Sequence, residues 1–293
     1  MRRLEQAAIY CAPAVFVFLW STGFISSKYG LPYAEPFTLL SLRMGSLVAV
    51  LAVILIFARP VWPEPAGMVH SSITGVLMHG LYLGGVFFSI DRGLPPALSA
   101  LIVGLQPVLT STLANRLLGE RVTLLQWAGL LLGLFGVFLI VRGNLAGGAA
   151  APLIAWAAAV VALVGITAGT LYQKRFASSI DWRANFLFQY AAAGILVFAT
   201  ALLFEQRGVD WNVHLVGAIA WMVFVLSLGA IWLLYFLIRR SSAARVVSLF
   251  YLVPPVTAVM AFAMFSDQLD LLSLVGMAAC AIGVFLVNFR PAN

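Results

Sequence analysis

The sequence predicts an all-α integral membrane protein: ten transmembrane helices arranged as two inverted five-helix repeats. Three observations carry that prediction. Of 293 residues, 63% are hydrophobic and only 9% charged, with a mean hydropathy of +1.04, whereas a water-soluble domain has about 45–50% apolar and about 25% charged residues. The apolar residues gather into runs of bilayer length. The second half of the chain then repeats landmarks of the first in the same order.

A helix crossing about 30 Å of hydrocarbon needs about 20 apolar residues. Runs between charged or Pro/Gly-rich breaks predict helices near 7–29, 37–58, 69–90, 95–117, 124–142, 152–176, 183–205, 212–238, 243–265 and 270–289. The first follows Arg2 and Arg3 as the core of a signal peptide does. It is longer than such a core and lacks a convincing small-residue cleavage site, so it reads as a span. The longest breaks surround Arg59-Pro60-Val61-Trp62-Pro63-Glu64-Pro65 and the Gly/Ala run near Gly147-Gly148-Ala149. Neither holds a soluble domain.

Lys and Arg set the orientation, because cytoplasmic loops retain positive charge. With the N-terminus inside, twelve lie in inner segments: Arg2, Arg3, Arg59, Arg116, Arg121, Lys174, Arg175, Arg183, Arg239, Arg240, Arg245 and Arg290. Lys28, Arg92, Arg142 and Arg207 fall outside, and Arg43 lies within a span. The bias places both termini in the cytoplasm of a cell inner (plasma) membrane. The net charge of +7 is scattered in ones and twos between apolar runs, without the basic face or arm that nucleic acid requires. Cys11 and Cys280 lack metal-ligand or CxxC spacing and read as small core residues.

Gly136-Val137-Phe138-Leu139-Ile140 returns as Gly283-Val284-Phe285-Leu286-Val287, an offset of 147. The same offset carries Gly129 onto Gly276, Leu124-Leu125 onto Leu271-Leu272 and the loop acid Glu120 onto Asp267. With one residue of slippage Pro107 falls on Pro255, and Gly23 and Lys28 fall on Gly169 and Lys174. Chance likeness between oily helices is the competing reading, but it does not keep a loop acid, a mid-helix proline and a GVFL run in one order. The repeats are residues 1–146 and 147–293. Each holds an odd number of spans, so the second enters the membrane in the opposite sense, and such folds place a substrate site near the midplane between halves.

These landmarks resemble the drug/metabolite transporter superfamily, specifically its EamA-type members with two five-helix repeats. The likeness rests on Arg43 in SLRMGSLVAVLAV, the proline of the fourth span, the Gly119-Glu120 loop and the closing glycine-rich helix. It covers almost the whole chain. The second copy departs from the pattern, with Gln189 where Arg43 would be and Ser266-Asp267 in place of Gly119-Glu120. The resemblance implies transport of amino acids, nucleotide sugars, other metabolites or drugs. Amino-acid exporters of the YddG type are the members this chain most looks like.

Candidate transport residues follow in chain order. Trp20 and Ser21 sit at mid-depth in the first span, where a tryptophan is poorly explained as an interface anchor. Arg43 lies roughly 9 Å from the outer end of the second span at 1.5 Å per residue; it can snorkel outward, anchor helices, tune the field at the outer mouth, or bind an anion directly. His79, halfway through the third span, can bond a substrate carboxylate, titrate, or bond a neighbouring backbone. Tyr82 shares its face. Pro107, Pro254 and Pro255 each free a carbonyl one turn earlier, at Val103, Phe250 and Tyr251. Such paired breaks either line a site or are packing kinks. Gln106 beside Pro107 favours a cavity, because an amide facing lipid is costly. Tyr172 with Gln173, Trp232 with Tyr235, and Tyr251 add aromatic rings with polar tips, and Gly23 and Gly169 are candidate helix-break positions. Gly129-xxx-Gly133 and Gly80-xxx-Gly84 allow close helix approach.

All ten acids, Glu5, Glu35, Glu64, Asp91, Glu120, Asp181, Glu205, Asp210, Asp267 and Asp270, lie in or beside loops. Without a mid-membrane carboxylate the chain reads as a facilitative, gradient-driven carrier, with His79 the only plausible deep titrating group; the resemblance implies that it exports amino acids, neutral or aromatic, by alternating access. A multidrug or nucleotide-sugar carrier is the rival within transport. An intramembrane enzyme would need HExxH, paired carboxylates or a nucleophile–base pair, and a receptor would bring a soluble domain. The expected partners are a small-molecule substrate and the lipid bilayer, in a monomer or weak dimer, with no cofactor, metal or nucleic acid.

Overall fold

The computed structural model describes residues 2–94, 99, 102–119, 121–142, 151–206, 208–253, 255–256, 259–260 and 271–289. Glu120, Pro254 and Asp267 lie outside the described residues. Among the described residues ten helices follow in order: α1 (Arg2–Gly30), α2 (Pro36–Ala58), α3 (Pro65–Asp91), α4 (Gln106–Leu118), α5 (Leu124–Arg142), α6 (Leu153–Ala177), α7 (Trp182–Phe204), α8 (Val213–Arg240), α9 (Ala243–Leu252) and α10 (Leu271–Asn288). Pro36, Pro65 and Pro152 stand at or beside helix starts, where a missing N–H costs nothing. Pro107 opens α4 after a turn at Gly104-Leu105, so the fourth span is broken there. Its counterpart α9 runs into a 3-10 turn, Leu249–Leu252, just before Pro255.

The two halves interleave. α2 packs on α7, α3 on α6 and α7, α1 on α8, and α5 on α10. The last pair shows the inversion directly. A Cβ built on Gly129 would lie 2.6 Å from the Gly283 carbonyl oxygen, and one on Gly283 the same distance from that of Gly129. Gly136 meets the Gly276 oxygen likewise at 2.6 Å. As α5 runs forward from 129 to 136, α10 runs back from 283 to 276, so the helices are antiparallel. The 147-residue offset exchanges these two contacts, which is what a two-fold axis between inverted copies produces. Glycine is required at Gly129, Gly136 and Gly283 because a methyl would strike backbone.

Three π-helical stretches among the described residues escape hydropathy, one of them at the end of α6, Gln173–Ala177. The middle of α3, Val76–Leu81, and of α8, Trp221–Ala230, are π-helical. Pro65 aligns with Val213 at an offset of 148, so the two wide turns occupy corresponding positions. Such turns are rare and gather at functional sites. The α3 turn is wedged between neighbours: a Cβ on Gly75 would collide with the backbone of Gln189 in α7, and one on Gly169 in α6 with Met78. Gly75→Val should therefore cost at least the ~1–3 kcal/mol typical of overpacking. The thermal midpoint of the purified protein, followed by size-exclusion chromatography, should fall by several degrees.

α2 and α7 are antiparallel and clasped at both ends. At the near end, which carries the α1–α2 and α7–α8 turns, Glu205 accepts hydrogen bonds from Phe37 N and Thr38 N, both at 2.7 Å, and from the Thr38 hydroxyl at 2.8 Å. A carboxylate there satisfies free amides and meets the positive pole of α2. Beside it Ala34 and Val209 form an isolated antiparallel bridge, and Asp210 N donates to Tyr33 O at 2.9 Å. At the far end, which carries the α2–α3 and α6–α7 turns, Arg183 donates to Ala58 O at 2.8 Å and Val61 N donates to Asp181 at 3.2 Å. The Arg183 guanidinium hydrogen-bonded to Asp181 holds that carboxyl below the ordinary carboxylate range.

Candidate functional site

The centre of the bundle holds a polar cluster contributed by both halves. Arg43 of α2, only 5% exposed, donates from Nε and Nη2 to the Ser227 hydroxyl of α8 at 3.3 and 3.1 Å. His79 of α3, 1% exposed, contacts Gln189 Oε1 of α7 through Nε2 at 3.2 Å. Arg43 and Gln189 are counterparts at an offset of 146, the spacing of the α2 and α7 starts. His79 and Ser227 are counterparts at 148, the spacing of the α3 and α8 starts, and each lies in its helix's π-turn. The contacts Arg43–Ser227 and Gln189–His79 are thus one cross-repeat contact made twice, with different chemistry each time: a cation above, an amide below.

Aromatic hydroxyls surround the pair. The His79 ring stacks on Tyr190 with centroids 4.2 Å apart and planes 18° apart. The Tyr190 hydroxyl lies near Arg43 and Ser227 yet completes no hydrogen bond. Tyr235 donates to Gln189 Oε1 at 2.5 Å, and Tyr82 lies near Arg43 and Trp20. From Gln189 a line of buried amides continues toward the far end: its Nε2 donates to Asn185 Oδ1 at 2.8 Å and to Gln173 Oε1 at 3.1 Å, and Gln173 Nε2 reaches Ala177 O at 3.3 Å.

The charge balance is the informative feature. Arg43 keeps its charge in any protein setting, and among the described residues no carboxylate pairs with it. A buried cation without a counter-ion is expensive. Among the described residues its guanidinium donates to the Ser227 hydroxyl, with Tyr190 close by, although the group carries five N–H donors. Two more buried groups of the cluster lack partners, His79 Nδ1 and the Tyr190 hydroxyl. Buried polar atoms left without a partner call for an explanation, and a ligand is one.

The snorkelling allowed for Arg43 does not occur. Its head turns inward because Ser227 and the tyrosines of the other half supply polar company closer than the interface does. His79 and Tyr82 take part in the cluster, and Trp20 borders it, packed edge-on to Phe250 at 5.1 Å. Ser21 instead bonds its own helix, Val17 O at 2.7 Å, and reaches Val253 O at 3.4 Å. Gln106 meets Thr170 at 3.4 Å on the α4–α6 seam. Tyr172 bonds His70 at 2.8 Å near the far end. Tyr251 is buried against Gly133, its hydroxyl unpartnered. Trp232 is 38% exposed and stacks on Phe236 at the bundle surface. Pro107 and Pro255 are buried. Gly23 packs against Leu226, and Gly169 allows the close approach of α6 to α3. Sequence reasoning did not single out Ser227, Tyr190 and Asn185, and it registered Gln189 only as a departure from the first copy. The 146-residue offset was the available signal for Gln189.

Known proteins agree with this architecture. The EamA-like transporter family matches the chain twice, at residues 8–142 and 153–289. The uncharacterized transporter YvbV of Bacillus subtilis (strain 168) is 25% identical, over 99% of this chain and 94% of its own length. The uncharacterized inner membrane transporter YedA of Escherichia coli (strain K12) is 21% identical, over 98% and 93%. A probable amino-acid metabolite efflux pump of the same organism is 24% identical, over 94% of each chain. A solved structure named only as "Crystal structure of protein" superposes with a TM-score of 0.78 at 21% identity, covering 94% of this chain and 95% of that one.

Proposed function

Because this chain belongs to the EamA-like transporter family, we propose that it exports a small carboxylate-bearing metabolite, foremost an amino acid, across the cell inner membrane. The observation that carries this reading is Arg43, a buried cation with no carboxylate partner among the described residues. A substrate carboxylate supplies the missing counter-ion, and Ser227 and Tyr190 stand beside it to share the bond. The walls of Tyr82, Tyr190, Trp20 and Tyr235 suit an apolar or aromatic side chain. The probable amino-acid metabolite efflux pump among its relatives supports the same class.

Transport proceeds by alternating access, with the near end facing outward and both termini in the cytoplasm, in keeping with the Lys and Arg bias. Binding requires the helices to part, and the π-turns of α3 and α8 are where they can bend. A cationic drug is disfavoured, because Arg43 repels it. A nucleotide sugar is disfavoured as well, since one guanidinium cannot balance a diphosphate.

No acid lies at mid-depth among the described residues, so the carrier runs down its substrate gradient. Proteoliposomes loaded with a panel of amino acids, organic cations and nucleotide sugars test this. Efflux of amino acids without an imposed proton gradient is expected. Efflux of cations alone, or a strict need for the proton gradient, would reject the reading.

A further inference from the structure

Gln189 fixes the state of His79. Its Nε2 is committed as a donor to Asn185 Oδ1 at 2.8 Å and Gln173 Oε1 at 3.1 Å. The Gln173 amide is oriented in turn by donating to Ala177 O at 3.3 Å. The opposite end of the Gln189 amide, Oε1, therefore faces His79 Nε2 at 3.2 Å and Tyr235, whose hydroxyl donates to it at 2.5 Å. A carbonyl oxygen only accepts. His79 must then carry its proton on Nε2. A second buried cation beside Arg43 would be costly, so the ring is neutral and Nδ1 holds a bare lone pair. That nitrogen is buried and has no hydrogen-bond partner.

We propose that His79 is held as its Nε2–H tautomer by the Gln173–Asn185–Gln189 amides, so that its bare Nδ1 accepts a hydrogen bond from the substrate's amino group. The inference rests on the reading of Arg43 as the carboxylate partner and adds the second half of the recognition. One repeat contributes a cation and the other fixes an acceptor, and together they match an amino acid, which is anionic at one group and a donor at the other. Simple carboxylates satisfy Arg43 but leave Nδ1 unpartnered. Gln173, Asn185 and Gln189 are positioning residues, acting through the imidazole, as the partner of one ring nitrogen commonly sets the role of the other.

Phenylalanine and 3-phenylpropionate, which differ at the amino group, form the test pair, with binding to purified protein as the readout. The wild type should prefer phenylalanine by roughly 10- to 100-fold, the range for a hydrogen bond involving a charged donor. His79→Gln can keep the Nε2–H contact to Gln189 but offers nothing at the Nδ1 position, and it should bind the two alike. His79→Asn places an amide near the Nδ1 position and should keep most of the preference. In wild-type protein labelled with ¹⁵N-histidine, Nδ1 should show the shift of an unprotonated nitrogen that moves when phenylalanine is added and stays when phenylpropionate is added. The spectrum decides the matter even if the variants do not fold. Equal affinity of the wild type for the pair, an unchanged preference in His79→Gln, or a protonated Nδ1 would each overturn the proposal while leaving the role of Arg43 intact. Binding of neither compound would overturn the role of Arg43, and this inference with it.

Discussion

Arg43→Met is expected to lower transport of carboxylate substrates roughly 100-fold while leaving the protein at least as stable as the wild type. The two halves of that expectation have one cause. An unpaired cation held among helices costs free energy, and replacing buried ionic groups with apolar side chains of similar volume is often neutral or stabilising. The same cation, once a carboxylate reaches it, is worth about 2–5 kcal/mol when truncated, and about 2.8 kcal/mol, within that range, is 100-fold at about 1.4 kcal/mol per tenfold. Arg43→Lys keeps the charge but loses the planar fork that holds Ser227 through two nitrogens; it should fall between. Initial rates in proteoliposomes set beside thermal midpoints would check the pair. A destabilised Arg43→Met protein that still transports normally would make Arg43 a structural strut and remove the main support for a carboxylate substrate.

What the sequence revealed and what it hid follow different physics. The ten spans were legible because hydrocarbon demands about 20 apolar residues from every helix that crosses it, and the repeat was legible because glycines at the α5–α10 crossing are fixed by backbone contact. Gly129, Gly136, Gly276 and Gly283 could be matched in the sequence, and at Gly129, Gly136 and Gly283 a Cβ would strike backbone of the facing helix. The π-turns were not legible, since Val76–Leu81 and Trp221–Ala230 are as apolar as their surroundings and the widening of the backbone leaves no mark on hydropathy. The same is true of the exchange between halves. Ser227 is an unremarkable serine until α8 is laid beside α2, and Gln189 looked like a lost arginine when it is the residue that orients His79. Depth could be read for His79, Arg43 and Trp232. The direction each side chain faces could not, and this is why Trp232, at mid-depth, stacks on Phe236 at the surface instead of lining the centre.

The near-end contact leads to an equally large expected effect. Ala34 and Val209 are opposed in an antiparallel bridge, a geometry with Cα atoms about 4.5–5.5 Å apart and so within the span a disulfide accepts. In a background with Cys11 and Cys280 replaced, the double variant Ala34→Cys with Val209→Cys should form a disulfide on mild oxidation, and transport should fall to under about a tenth of the reduced rate. Reductant should restore it. The noncovalent bonds at this end are weak by comparison, because a helix-capping carboxylate such as Glu205 contributes only about 1 kcal/mol and the bridge little more, so they can open in every cycle where a covalent link cannot. A buried centre clasped at both ends, by Glu205 on one side and by Asp181 and Arg183 on the other, can deliver a substrate only if each clasp gives way in turn. Full transport by the oxidised variant would mean that α2 and α7 travel together as one body, with the path out opening between other helices.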